Sequence, residues 1–84
     1  MNHPAKPSAY NMRRRREDIA RDIREQVGKN APCESELRRY FGLSRDATRA
    51  LLKGVPVFQM VDGGKKLYLA IDIARMISDK EMHP

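Results

Sequence analysis

Glycine and proline punctuate this chain at short intervals, and that punctuation constrains its fold more than any other feature. Gly28, Gly42 and Gly54 each fall just after a stretch with helical periodicity, and Pro32 lies in the link between the first two stretches. In residues 13–27 the apolar Ile19, Ala20, Ile23 and Val27 recur at helical spacing, with Gly28, Lys29 and Asn30 as the stop. This predicts one amphipathic helix. Ala31 and Pro32 break the chain before a second helix over 34–41, where Glu36 stands three residues after Cys33 as in a capping box, cysteine being a poor replacement for Ser or Thr. Gly42 ends that helix, Leu43 follows, and Ser44 is a good N-cap for a third helix over 45–53, which Gly54 stops.

Residues 55–69 change character. Val57, Phe58, Met60, Val61, Leu67, Tyr68 and Leu69 are β-favouring or large and apolar, and Asp62-Gly63-Gly64 is a strong turn signal. The expectation is a β-hairpin with Lys65 and Lys66 at or beside its tip. Ile71, Ala74, Met76 and Ile77 then fit a closing helix that decays into a polar tail. At 84 residues the chain has the length of one domain with a small core of mostly Ile, Leu, Val and Met. The expected class is α+β, mostly α: a winged helix-turn-helix with an extra N-terminal helix, a β-hairpin wing and a closing C-terminal helix. The expected divisions are a flexible basic arm at 1–16, the domain at 17–79 and the tail at 80–84.

The formal charge is +6, and it is unevenly spread. Lys6, Arg13, Arg14, Arg15 and Arg16 give the first sixteen residues five positive charges and no acid, residues 31–54 carry a net +2, and the rest sums to near zero. A basic chain of this kind favours polyanions. Several classes are set aside. Cys33 is the only cysteine, so no intrachain disulfide forms and the expected compartment is the cytoplasm. No apolar run suits a membrane span or a signal peptide. His3, His83 and Cys33 have no zinc-ligand spacing, and no nucleophile, base and oxyanion set is discernible, so neither cofactor, metal nor enzymatic activity is expected. The arginine run would also suit an RNA-binding arm, but the aromatic platform or GXXG loop of RNA modules is missing.

Two short helices joined by Phe41-Gly42-Leu43-Ser44 have helix-turn-helix proportions, in which the second helix enters the major groove. On that helix Arg45, Arg49 and Lys53 fall at i, i+4 and i+8, a cationic stripe opposite Leu51 and Leu52. Arginine can donate two hydrogen bonds to guanine. A solvated surface face is the other reading of the same stripe. Periodicity alone leaves it open whether Ala47 or Thr48 turns inward.

The run Glu36-Leu37-Arg38-Arg39-Tyr40-Phe41-Gly42-Leu43-Ser44-Arg45-Asp46-Ala47-Thr48-Arg49 resembles the helix-turn-helix of excisionase-like and MerR-type winged-helix proteins, and Lys65-Lys66-Leu67-Tyr68 followed by Asp72-Ile73-Ala74 resembles their wing exit. The resemblance implies an inward Thr48, DNA-facing Arg45, Asp46 and Arg49, and wing lysines Lys65 and Lys66 on phosphate, while Ser44 and Lys53, at the two ends of the same helix, are expected to contact DNA as well. Asp46 could accept a hydrogen bond from a cytosine amino group, but its role as the negative charge at a helix N-terminus is the stronger reading. Together with the four arginines of the arm, these are the expected DNA-binding residues. The implied role is an accessory factor of a phage or mobile element, for recombination or transcription, whose partners are double-stranded DNA, an integrase and further copies of itself bound cooperatively. The alternative is a winged-helix inhibitor that binds a host nucleic-acid enzyme.

Overall fold

Arginine is a good helix former, and nothing in Ala9-Tyr10-Asn11-Met12 breaks a helix, so the first helix starts ahead of the arginine run. A computed structural model of the chain describes residues 9–81 and contains four helices: α1 (Ala9–Val27), α2 (Glu34–Phe41), α3 (Arg45–Leu52) and α4 (Ala70–Lys80). Arg13, Arg14, Arg15 and Arg16 therefore belong to α1. This corrects the expectation of a flexible arm for residues 9–16. Residues 1–8 of that arm, with Lys6 and His3, and residues 82–84 of the tail, with His83, lie outside the described residues.

The most extensive helix contact is α1 on α4. Ile19, Ala20 and Ile23 of α1 are buried in one cluster with Ala70, Ile73 and Ala74 of α4. The pair is antiparallel. Arg15 and Arg16, early in α1, meet Glu81 and Asp79 at the end of α4, while the Ala70 N–H at its start donates to the Asn30 carbonyl just after α1. Arg15 grips Glu81 with two nitrogens, Nη2 to Oε2 at 2.7 Å and Nε to Oε1 at 3.1 Å, and Arg16 Nη2 donates to Asp79 Oδ1 at 3.1 Å.

Leu37 of α2, Leu52 of α3, Val55 and Tyr68 complete the core. Helix α2 is tied to α1 by the Tyr40 hydroxyl, which donates to Asp22, and burial followed by that bond pushes the Tyr40 pKa up to about 12. Between α2 and α3 the chain reverses in three residues. Gly42 adopts φ +69°, a left-handed conformation that glycine tolerates, and its N–H donates to the Arg38 carbonyl at 2.9 Å. Ser44 Oγ then accepts the Ala47 N–H at 3.1 Å, and the Thr48 hydroxyl donates to the Ser44 carbonyl at 2.7 Å. Thr48 is fully buried and Ala47 exposed, which decides between the two readings of this helix.

The β-hairpin wing is not found, and the α+β, winged expectation is overturned. The described residues are helical with no strand, and the segment between α3 and α4 is an irregular loop with two isolated antiparallel bridges, Phe58 with Leu67 and Cys33 with Leu67. A ladder needs consecutive pairs, and here only Phe58 and Leu67 exchange both backbone bonds, at 3.0 and 2.8 Å. The Tyr68 N–H points away from this pair and donates to the Pro32 carbonyl at 2.9 Å. Toward the turn, the Gln59 side chain, rather than a backbone ladder, reaches the Gly64 carbonyl at 2.7 Å. Pro56, with no N–H to donate, limits extension toward α3.

Crowding the α1–α4 seam should cost far more than breaking the ion pairs at its end. Ala74→Leu should destabilise by about 1–3 kcal/mol through overpacking, and Arg15→Ala by less than about 1 kcal/mol, because exposed ion pairs contribute little. Denaturant midpoints of the two variants compare the effects directly.

Candidate nucleic-acid interface

Helix α3 packs chiefly on α2 and turns Thr48 and Leu52 inward, with Leu51 half-buried. Everything else on it faces water: Arg45, Asp46, Ala47, Arg49 and Ala50 are exposed. Arg45 and Arg49 stand one turn apart, roughly 6 Å along the axis, and the small Ala47 and Ala50 beside them leave the helix free to approach a groove closely. Lys53 falls just past the end of α3 in an extended conformation, so the helical stripe consists of Arg45 and Arg49.

Arg49 is the more constrained of the two. Its Nε lies 3.3 Å from both carboxylate oxygens of Glu34, at the start of α2, so one edge of the guanidinium is fixed while its terminal nitrogens make no hydrogen bond among the described residues. Tyr68, buried behind this pair, has a raised pKa from burial first and then from the Glu34 charge, with Arg49 opposing. Arg45, Lys53, Lys65 and Lys66 are exposed and form no ion pair among the described residues. Ser44 uses its oxygen as an acceptor for the helix, which leaves its hydroxyl proton free to donate. Asp46 is exposed in the first turn of α3, where a negative charge suits the helix dipole.

The arginine run occupies another part of the domain. Arg15 and Arg16 are committed to Glu81 and Asp79. Arg13 and Arg14 line a surface depression together with Glu17, Asp18 and Arg21, where acids offset their charge. The structure thus joins Ser44, Arg45, Asp46, Arg49 and Lys53 on and beside one helix, and it does not bring Arg15 or Arg16 to them. Sequence reasoning assigned no role to Arg38 and Arg39, which line a shallow groove with Ser35, Gly42 and Leu43 at the reversal. The signal was a dibasic pair one turn before the glycine, where the first helix of such a motif crosses the phosphate backbone.

The start of α2 sets where Glu34 sits. Glu36 accepts the Cys33 N–H at 2.9 Å and also holds Lys29 Nζ at 2.8 Å, tying the linker to the helix. No three His, Cys, Asp or Glu side chains are grouped to hold a metal, and no helix is long and apolar enough to cross a membrane, among the described residues. Compared with protein-family models, curated proteins and solved structures, the chain matches none of them.

The Lys29 bond first, and the Cys33 N–H second, hold the Glu36 carboxyl at about 2, below its ordinary 4.5. A carboxylate depressed in the folded state adds stability that is complete above the ordinary value and is lost as pH falls from 4.5 toward 2. Glu36→Gln should therefore flatten the acid limb of the stability profile in that window and change its shape little above pH 5 to 6. Denaturant titrations at stepped pH read this, and an unchanged acid limb in the variant would contradict it.

Proposed function

We propose that this chain binds double-stranded DNA by laying α3 in the major groove, as an accessory factor in recombination or transcription of a phage or mobile element. The observation that carries this reading is the outer face of α3. Two arginines one turn apart are presented beside two alanines, and Arg49 is braced by Glu34 at its Nε with no hydrogen bond on its terminal nitrogens among the described residues. Arginine in that posture can donate two parallel hydrogen bonds to guanine. Arg38, Arg39, Lys53, Lys65 and Lys66 then supply phosphate contacts, and the Ser44 hydroxyl can add one at the turn. The helix-turn-helix run at 36–49, resembling that of excisionase-like proteins, supports the accessory role.

A single module of this size reads few base pairs and buries a small interface, so useful specificity requires several copies on neighbouring sites. Cooperative binding along DNA, with an integrase as the protein partner in the recombination role, follows from that limit. The basic face argues against a protein that mimics nucleic acid to occupy an enzyme's groove.

Binding to a random duplex pool at several salt concentrations tests the assignment. Six phosphate contacts give a log-log salt slope of about −5. Arg45→Ala or Arg49→Ala should cost about 1–3 kcal/mol at particular base pairs and relax the preference there, whereas Lys53→Ala should weaken all duplexes alike. Salt-independent affinity, or α3 variants that keep the wild-type base preference, would overturn the reading.

A further inference from the structure

Two apolar side chains are held out in water on the loop between α3 and α4. Met60 is 77% exposed and its neighbour Val61 67%, with Val57 half-exposed nearby. Adjacent apolar side chains in solvent, rimmed by polar residues, are the kind of surface that a contact would cover. The loop around them is built, not slack. The Gly64 N–H donates to the Val61 carbonyl at 3.0 Å, Gly63 takes φ +74° at the third turn position, and Gln59 donates across the loop to the Gly64 carbonyl. A side chain at Gly64 would meet Val61 Cγ2 at 2.8 Å, so Val61 rests directly on the glycine backbone.

Cations adjoin this apolar tip. Lys65 and Lys66 follow the turn, both exposed, and Asp62 is the single acid in residues 59–66. The loop closes at the Phe58–Leu67 bridge, and Leu67 is bridged also to Cys33, the residue before Glu34, whose carboxylate lies 3.3 Å from Arg49 Nε. The base of the loop thus stands beside the arginine face of α3.

We propose that Met60 and Val61 form an apolar wedge that enters a base step of duplex DNA and kinks it, while Lys65 and Lys66 neutralise the adjoining phosphates. The proposal rests on the DNA reading of α3. It commits to DNA because the tip combines an apolar surface with two flanking cations, and a partly unstacked base step offers the complement, a flat apolar face bordered by anions. Methionine is unbranched and polarisable, which suits insertion between ring faces. An anionic bilayer presents a similar pair of features, but the position of the loop next to Arg49 favours the ligand that α3 engages.

The test is end-to-end energy transfer on a short duplex labelled at both ends, with full-length wild type, the double variant Met60→Gln/Val61→Thr, and the double variant Lys65→Ala/Lys66→Ala. Both replacements at the tip keep side-chain size and touch no core residue, and thermal melts confirm the fold. Wild type should shorten the end-to-end distance. The tip variant should still bind, roughly tenfold weaker with an unchanged salt slope, and leave the duplex straight, while the lysine variant should flatten the slope by about 2. Wild type that binds without bending, or a tip variant that bends DNA as wild type does, overturns the wedge and leaves the α3 reading standing. No duplex binding by wild type overturns both. Binding of wild type to phosphatidylserine vesicles that the tip variant loses, with DNA bending unaffected, reassigns the loop to lipid.

Discussion

The antiparallel contact of α1 with α4 is what the rest of the domain depends on. Ala20, Ala70 and Ala74 lie at most 1% exposed, buried in one cluster with Ile19, Ile23 and Ile73. A chain this small has no second core to fall back on. The same pairing places both ends of the helix-turn-helix segment. Asn30 and Pro32, just beyond α1, accept the N–H groups of Ala70, at the start of α4, and of Tyr68, just before it, and the chain between those anchor points has to close on itself.

Because α1 and α4 supply much of the burial, α3 contributes little to the core beyond Thr48 and Leu52 and can leave the remainder of its surface to solvent. That surface is kept in register by small local devices: the left-handed Gly42, the Ser44 cap, the Thr48 hydroxyl on the Ser44 carbonyl, and the Glu34 carboxylate on Arg49 Nε. Each orders a group next to the exposed arginines. A helix cap contributes on the order of 1 kcal/mol, a small amount for the fold, but these contacts decide which side chains point outward. The cations divide accordingly. Those of α1 that face α4 are bound to carboxylates, whereas Arg45, Lys53, Lys65 and Lys66 have no ion-pair partner among the described residues.

The helices were legible in the sequence because their signals are local. Gly28, Gly42 and Ser44 act within a turn of the helix ends they mark, and the spacing of Ile19, Ala20 and Ile23 reports one buried face. What failed was non-local. Alternating apolar residues and Asp62-Gly63-Gly64 do describe a chain reversal, yet whether a reversal becomes a ladder depends on what its next backbone groups meet, and here Pro56 has no N–H to donate and the Gln59 side chain takes the Gly64 carbonyl. The arginine run misled for the same reason: its charge suggested a solvated arm, while Asp79 and Glu81, more than sixty residues away, draw two of its members onto α4. Thr48 against Ala47 was open on periodicity and was settled by the hydroxyl bond to the Ser44 carbonyl.

The proposed DNA-binding surface is the outer face of α3 together with the adjoining loop. Amide chemical-shift mapping during titration with a duplex selected from a random pool tests it most directly. The account predicts the largest changes at Ser44, Arg45, Ala47 and Arg49 and in residues 59–66, with small changes along Glu17, Asp18, Arg21 and Glu25 on the outer face of α1. Changes concentrated on α1 and α4, with α3 unperturbed at saturation, would contradict it.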